Sequence, residues 1–311
     1  MASPMDPAVV PGTFARPPTA DLVWLGIAVL FISSSGPLIA AMAAPALAIA
    51  FWRCFLGSAA TAPWVLVRQR RELRSLSRRE WRLMILAGLL LGAHFATWIP
   101  SLRYTTVASS TALVATQPVW AALIARHRGA HIPRSAWVGI AVSLVGVVIL
   151  TGIDVSVDPR HLIGDALALA GGILAAMYVT VAESARRTVS TSTLTMTAYA
   201  SSAILLLALC VVGRQALAGF SARDWLFILA LTLGAQLLGH TLINKVLSTT
   251  SATIVSLAIL LEMPGATIMA AVALGQLPPA GIIPAVALMF VGIVLVIRSS
   301  TRDVPTETSP L

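Results

Sequence analysis

Scarce residues recur along this chain at a nearly fixed offset. Asp21 returns as Asp165 and Trp81 as Trp225, each 144 positions on; His94 returns as His240, Pro118 as Pro264 and Gly146 as Gly292, each 146 on. Each half holds five apolar stretches of about 20 residues, the length a helix needs to cross roughly 30 Å of hydrocarbon. They fall near 22–42, 45–66, 83–102, 105–125, 136–152, 163–183, 194–213, 224–244, 250–274 and 279–297. Five is odd, so a second copy threaded after the first enters the bilayer in the opposite sense. The expected fold is all-α and integral to the membrane: ten transmembrane helices in two inverted five-helix repeats around a central cavity. Alternating-access carriers use this architecture, with the site where the copies meet. The repeats are expected at 21–152 and 163–298, joined by an outer linker at 153–162. Disordered cytoplasmic tails are expected at 1–20 and 299–311.

Composition agrees with a membrane solvent. Hydrophobic residues make up 58% of the chain, charged residues 11%, and mean hydropathy is +0.89. A soluble protein of this size needs far more polar surface. The formal charge of +9 raises nucleic acid as a partner, but the distribution of that charge argues against it. With both termini in the cytoplasm, sixteen of the 21 Lys and Arg fall on the inner side and four (Arg103, Arg160, Arg214, Arg223) on the outer, with Arg53 inside a span. Basic residues favour the cytoplasmic face and attract anionic headgroups. The expectation is a multi-pass protein of the plasma (inner) membrane with both ends inside, touching anionic lipid and no nucleic acid. The basic stretch from Arg68 to Arg82 reads as a surface-lying turn ending at an interfacial Trp81. Arg16, an apolar run and Ala41-Met42-Ala43 resemble a signal peptide, but the run is too long and the repeat needs it as a helix. Cys54 and Cys210 sit in apolar spans and fit neither a disulfide framework nor a metal motif.

Several motifs carry a resemblance. The first half reads Ser101-Leu102-Arg103-Tyr104-Thr105-Thr106, then Gln117-Pro118, then Gly139 through Gly146. The second reads His240-Thr241-Leu242-Ile243-Asn244, then Leu261-Glu262-Met263-Pro264-Gly265-Ala266, then Val291-Gly292. Over about residues 20–298 this resembles the EamA branch of the drug/metabolite transporter superfamily. The resemblance implies two inverted five-helix halves around a cavity and export of small metabolites, often amino acids. Members often carry a Glu after the fourth and ninth helices. Here those places read Arg126-His127-Arg128-Gly129 and Gly275-Gln276, so no role of those carboxylates is carried over.

Ionisable and polar side chains at membrane depth tend to mark a pathway or cavity. Glu262, in the ninth span, is either a site for a substrate ammonium or proton, or a neutral acid bonded to a neighbouring helix. Pro264 after it removes a backbone hydrogen bond. Gln117-Pro118 is its counterpart in the fourth span. His94 and Trp98, four apart, share a helix face, and His240 and Asn244 repeat that spacing. These groups either grip a zwitterion or an aromatic ring, or bond backbone and fill space between helices. Tyr178 joins the substrate-binding candidates from the sixth span. Ser34, Gly36, Pro37, Pro118 and Pro264 are candidate hinges, although Ser also bonds back within its own helix. Arg53 either pairs a substrate carboxylate or Glu262, or snorkels to the headgroups. Glu183, near Arg186 and Arg187, reads as an interfacial ion pair.

Absent motifs narrow the chemistry. The chain holds no G-x-x-x-x-G-K-[ST] run, no H-E-x-x-H and no clustered Cys and His. Neither a cofactor nor a metal is expected, and the scattered polar residues do not form the converging set an enzyme needs. The reading that follows is a secondary exporter of small metabolites, with protons as a candidate coupling partner beside substrate exchange and facilitated diffusion. A non-transporting scaffold or lipid-handling protein is the alternative.

Overall fold

Helix ends in this chain are written into its Ser and Pro residues. Ser77 accepts from the Glu80 amide at 3.2 Å while Glu80 accepts from the Ser77 amide at 2.7 Å, a reciprocal box that satisfies two donors left over at a helix start. Ser190, Ser221 and Ser251 cap three further helices by accepting from the amides of Thr193, Asp224 and Ile254. Pro18 precedes the first helix and Pro159 opens another, since a fixed φ and a missing N–H suit a first turn. Those starts lie a few residues before the expected repeat boundaries at 21 and 163.

The computed structural model describes residues 17–105, 107–151, 159–274 and 281–299. The rest of the expected tails and linker, and Gly275-Gln276, lie outside the described residues. The first half comprises α1 (Thr19–Ile32), α2 (Ser35–Ala40), α3 (Ala46–Arg68), α4 (Arg70–Ser75), α5 (Arg78–Ser101), α6 (Val107–Val114), α7 (Gln117–His127) and α8 (Arg134–Thr151). The second comprises α9 (Pro159–Arg186), α10 (Thr191–Val212), α11 (Ala222–Leu231), a π-helix (Thr232–His240), α12 (Thr241–Val246), α13 (Ala252–Ile259), α14 (Glu262–Leu274) and α15 (Ile282–Ser299). Among the described residues no strand occurs, and eight helical stretches are long and apolar enough to cross a membrane. Of the ten expected crossings, the fourth is divided between α6 and α7, and the fifth contains the shorter apolar helix Arg134–Ile149.

Large apolar side chains point outward as well as inward. Ile204 is 70% exposed and Ile283 79%, an arrangement that lipid tolerates and water does not. Inside, α5 packs along α9, α3 along α10, and α1 along the π-helix. A close backbone approach joins α8 to α15. A Cβ on Gly139 would sit 2.6 Å from the Gly292 carbonyl, and one on Gly146 2.7 Å from the Ala285 carbonyl. Residue 139 thus faces 292 and 146 faces 285, so the two helices run antiparallel. Small residues let the backbones meet, and Ser143 adds a hydrogen bond to the Met289 carbonyl at 3.3 Å. The short α4 is tied down by Glu72, which accepts from the Ser190 amide and hydroxyl, each at 2.6 Å.

Candidate functional site

Four helix irregularities meet around one cavity. Between α1 and α2 the chain breaks at Ser33-Ser34, between α6 and α7 at Ala115-Thr116, and between α13 and α14 at Leu260-Leu261. Each break is flanked by two cavity-lining residues: Ile32 and Ser35, Val114 and Gln117, Ile259 and Glu262. The π-helix ends on the fourth contributor, His240. Pro37, Pro118 and Pro264 each fall within the first three residues after a break. Each removes the N–H that would have bonded four residues back, so the upstream helix is not continued. Two of the breaks touch: a Cβ on Gly265 would collide with the Ser33 side chain.

The cavity and its open mouth together span about 540 Å³ of space between atoms. A second space of about 350 Å³ shares Trp98, Val114, Gln117, Ile259 and Glu262 with it and reaches Ser256 and Met263. Of the substrate-binding candidates, His94, Trp98, Gln117, Tyr178, His240 and Glu262 line the main cavity. They come from α5, α7, α9, the π-helix and α14, so both halves of the sequence contribute. Asn244 stands one step behind. Its amide oxygen accepts from the Tyr178 hydroxyl at 2.7 Å, and its nitrogen donates to Thr195 Oγ1 at 3.4 Å.

Hydrogen bonds fix most of these groups. His94 Nδ1 lies 2.9 Å from the Gly171 carbonyl, which can only accept, so Nδ1 carries the hydrogen. The His94 ring stacks on Trp98 with centroids 5.7 Å apart and planes at 6°. That stack is the shared face expected from their spacing. Gln117 Nε2 donates to Ser256 Oγ at 3.0 Å. Phe95 meets His240 edge-on at 5.6 Å. Two donor-capable atoms of the lining, Trp98 Nε1 and His240 Nδ1, are buried without a hydrogen-bond partner among the described residues.

The hinge candidates lie at or just after the breaks rather than in the lining. Ser33 and Ser34 bond back to the carbonyls of Val29 and Phe31, each at 2.7 Å, while Gly36 and Pro37 fall in the short α2. Arg53 departs from one expectation. Its side chain is fully buried rather than snorkelling to the headgroups, because Gln236 Oε1 holds its Nε–H at 2.7 Å and the Phe95 ring lies 4.3 Å beneath its guanidinium carbon. Glu183 pairs with Arg187 at 3.9 Å and accepts from the Ala252 amide at 3.3 Å. Arg186 instead donates to the carbonyls of Asn244 and Val189. Cys54 and Cys210 are buried free thiols.

Sequence reasoning missed Gln236, Phe95 and Tyr199. Gln236 was detectable as a lone amide in an apolar run, like Gln117. Nothing in the periodicity announced the π-helix that presents it, whose Gln236 carbonyl takes the Tyr199 hydroxyl at 2.7 Å.

Comparison with known proteins places this geometry. The profile of the EamA-like transporter family matches residues 20–152 and again residues 162–298. An uncharacterized transporter of Archaeoglobus fulgidus is 30% identical over 162 residues, 51% of this chain and 55% of that protein, so the match spans about half of the relative's length. A crystal structure of another protein superposes with a TM-score of 0.75 over 91% of this chain and 98% of its own, at 18% identity, a likeness of fold alone. The double match across both halves, with the apolar helices, makes this chain a multi-pass membrane protein that belongs to the EamA-like transporter family.

Proposed function

We propose that the chain is a secondary transporter that exports small amphipathic metabolites, amino acids or related compounds, by alternating access. The observation that carries this reading is the cavity itself: polar groups from both halves converge on it, and broken helices border it on several sides. Discontinuous helices around a central site are what carriers use to change access without unfolding the bilayer-spanning core. The proposed architecture is ten crossings in two inverted repeats, 21–152 and 163–298, in the plasma (inner) membrane with both ends cytoplasmic. Taken together, α6 and α7 extend over 107–127, about 30 Å at roughly 1.5 Å per residue, which suffices for one crossing.

Three features support the inverted repeat. The capping residues Ser77 and Ser221 lie 144 apart, the offset of Asp21 and Asp165. The equivalent helices α8 and α15 run antiparallel through contacts that exchange when the halves are swapped. Asp165 accepts from Thr105 Oγ1 at 2.6 Å, and its counterpart Asp21 accepts from Thr250 Oγ1 at 2.7 Å. Each of those bonds joins the start of one half to the far loop of the other.

Reconstitution tests the reading. Purified protein in proteoliposomes should accelerate efflux of amphipathic solutes above empty vesicles, and reporter fusions should place both ends on the cytoplasmic face. Flux no greater than in empty vesicles across amino acids, nucleosides, organic acids and organic cations would favour the non-transporting alternative. Termini on different faces would exclude two inverted five-helix halves.

A further inference from the structure

Arg53 carries a charge that its surroundings answer only in part. It lies about 10 Å along α3 from Ala46, at roughly 1.5 Å per residue, and none of its side chain is exposed. A guanidinium is a planar fork of five N–H donors that stays ionised. Nε–H donates to Gln236 Oε1 at 2.7 Å. The terminal nitrogens Nη1 and Nη2 are buried and have no hydrogen-bond partner among the described residues. Gln236 is itself anchored, its carbonyl accepting the Tyr199 hydroxyl at 2.7 Å and its amide 3.9 Å from Cys54 Sγ. Four charged N–H donors are therefore held on a fixed arm with no acceptor among the described residues. Buried ionic donors in that condition are strongly unfavourable unless an acceptor reaches them in some state of the protein.

The surroundings say what kind of acceptor fits. Among the described residues no carboxylate lies within ion-pair distance of the guanidinium. Phe95 adjoins both Arg53 and the cavity: its ring centroid is 4.3 Å from the guanidinium carbon, it lines the cavity, and it meets His240 edge-on. A rotation of that ring would open Nη1 and Nη2 to the cavity. The fork geometry matches a planar anion with two oxygens, which binds through two parallel hydrogen bonds. The unpartnered His240 Nδ1 and Trp98 Nε1 offer further polar contacts on the same lining.

We propose that Arg53 is an anion-binding residue that recognises a carboxylate on the transported molecule when Phe95 swings aside. Transport of that molecule rests on the carrier reading; binding of its carboxylate does not. Gln236 is then a positioning residue that aims the fork, and Phe95 is the apolar cover that keeps it dry between cargoes.

The test uses one skeleton with three head groups, chosen because Phe95, Trp98 and Tyr178 make the lining aromatic. Full-length protein in nanodiscs of phosphatidylcholine, which lacks anionic lipid, is titrated with 3-phenylpropionate, 3-phenylpropionamide and 3-phenylpropylamine. Binding is read from tryptophan fluorescence and the thermal midpoint. The carboxylate is expected to bind at least about tenfold more tightly than the amide or the amine. Arg53→Gln should erase that preference, and Arg53→Lys should keep part of it. A wild-type protein that does not bind the carboxylate, or binds the three probes alike, overturns the proposal without any variant, so a misfolded Arg53→Gln does not shelter it. Preference retained by a folded Arg53→Gln overturns it too. Equal loss in Arg53→Gln and Glu262→Gln, restored in the double variant, would show instead that the two residues pair with each other. Carboxylate preference without flux in proteoliposomes would uphold the anion site and remove the carrier reading alone.

Discussion

Glu262 opens α14 directly after the break at Leu260-Leu261 and lines both spaces of the site. Gln keeps its shape and removes its charge. Glu262→Gln is expected to lower flux about tenfold, equivalent to roughly 1.4 kcal/mol of lost interaction, while membrane insertion and thermal midpoint stay at wild-type values. Unchanged flux would take Glu262 out of the mechanism. At this scale the sequence made faces legible and partners illegible. A spacing of four put His94 and Trp98 on one side of α5, and they stack there. The same spacing in His240 and Asn244 crosses from a π-helix into α12, and Asn244 turns to Tyr178 and Thr195 instead of the cavity. Arg53 was visible as an intramembrane charge, but its anchor Gln236 lies 183 residues away and no local pattern couples them.

Elements show the same division. Prolines announced three of the irregularities around the site, because a residue without an N–H cannot bond back to the turn before it and so does not carry the upstream helix onward. The π-helix had no such marker: its nine residues Thr232–His240 read as an ordinary apolar run, and only packing against α1, α3 and α11 reveals the wider coil. Two substitutions separate rigidity from function. Pro264→Ala restores the donor facing the Leu260 carbonyl, so α13 and α14 should join, raising the thermal midpoint and slowing flux several-fold. A faster carrier with Ala there would mean that the break is not used in transport. Gly292→Ala acts on the contact between α8 and α15. Its Cβ would run into Ser143 and the Gly139 carbonyl, and overpacking of this kind costs about 1–3 kcal/mol. The expected readout is a lowered thermal midpoint of the purified protein, and an unaltered midpoint would deny the close approach.

For the whole molecule, the proposed inversion turns two modest hydrogen-bond groups into opposed latches. Thr105 in the loop after α5 donates to Asp165 in α9, while Thr249 and Thr250 after α12 donate to Asp21 in α1 at 2.5 and 2.7 Å. In the proposed orientation the first group lies toward the outer face and the second toward the cytoplasm. Each ties the two halves together toward one face, so weakening one should favour opening on that side. Interhelical hydrogen bonds in membrane proteins are worth about 0.6–1.7 kcal/mol, which corresponds to a population shift of about 3- to 17-fold. A cysteine at Ser35, which lines the cavity, reports access once the buried native thiols are removed as Cys54→Ala and Cys210→Ala. Asp165→Ala should speed labelling by an impermeant maleimide in right-side-out vesicles, and Asp21→Ala should speed it in inverted vesicles. Acceleration from the same face in both variants would contradict the inverted arrangement. Unchanged rates in both would show that the halves are held closed elsewhere, at the α3–α10 or α8–α15 contacts that lie between equivalent helices and therefore favour neither side.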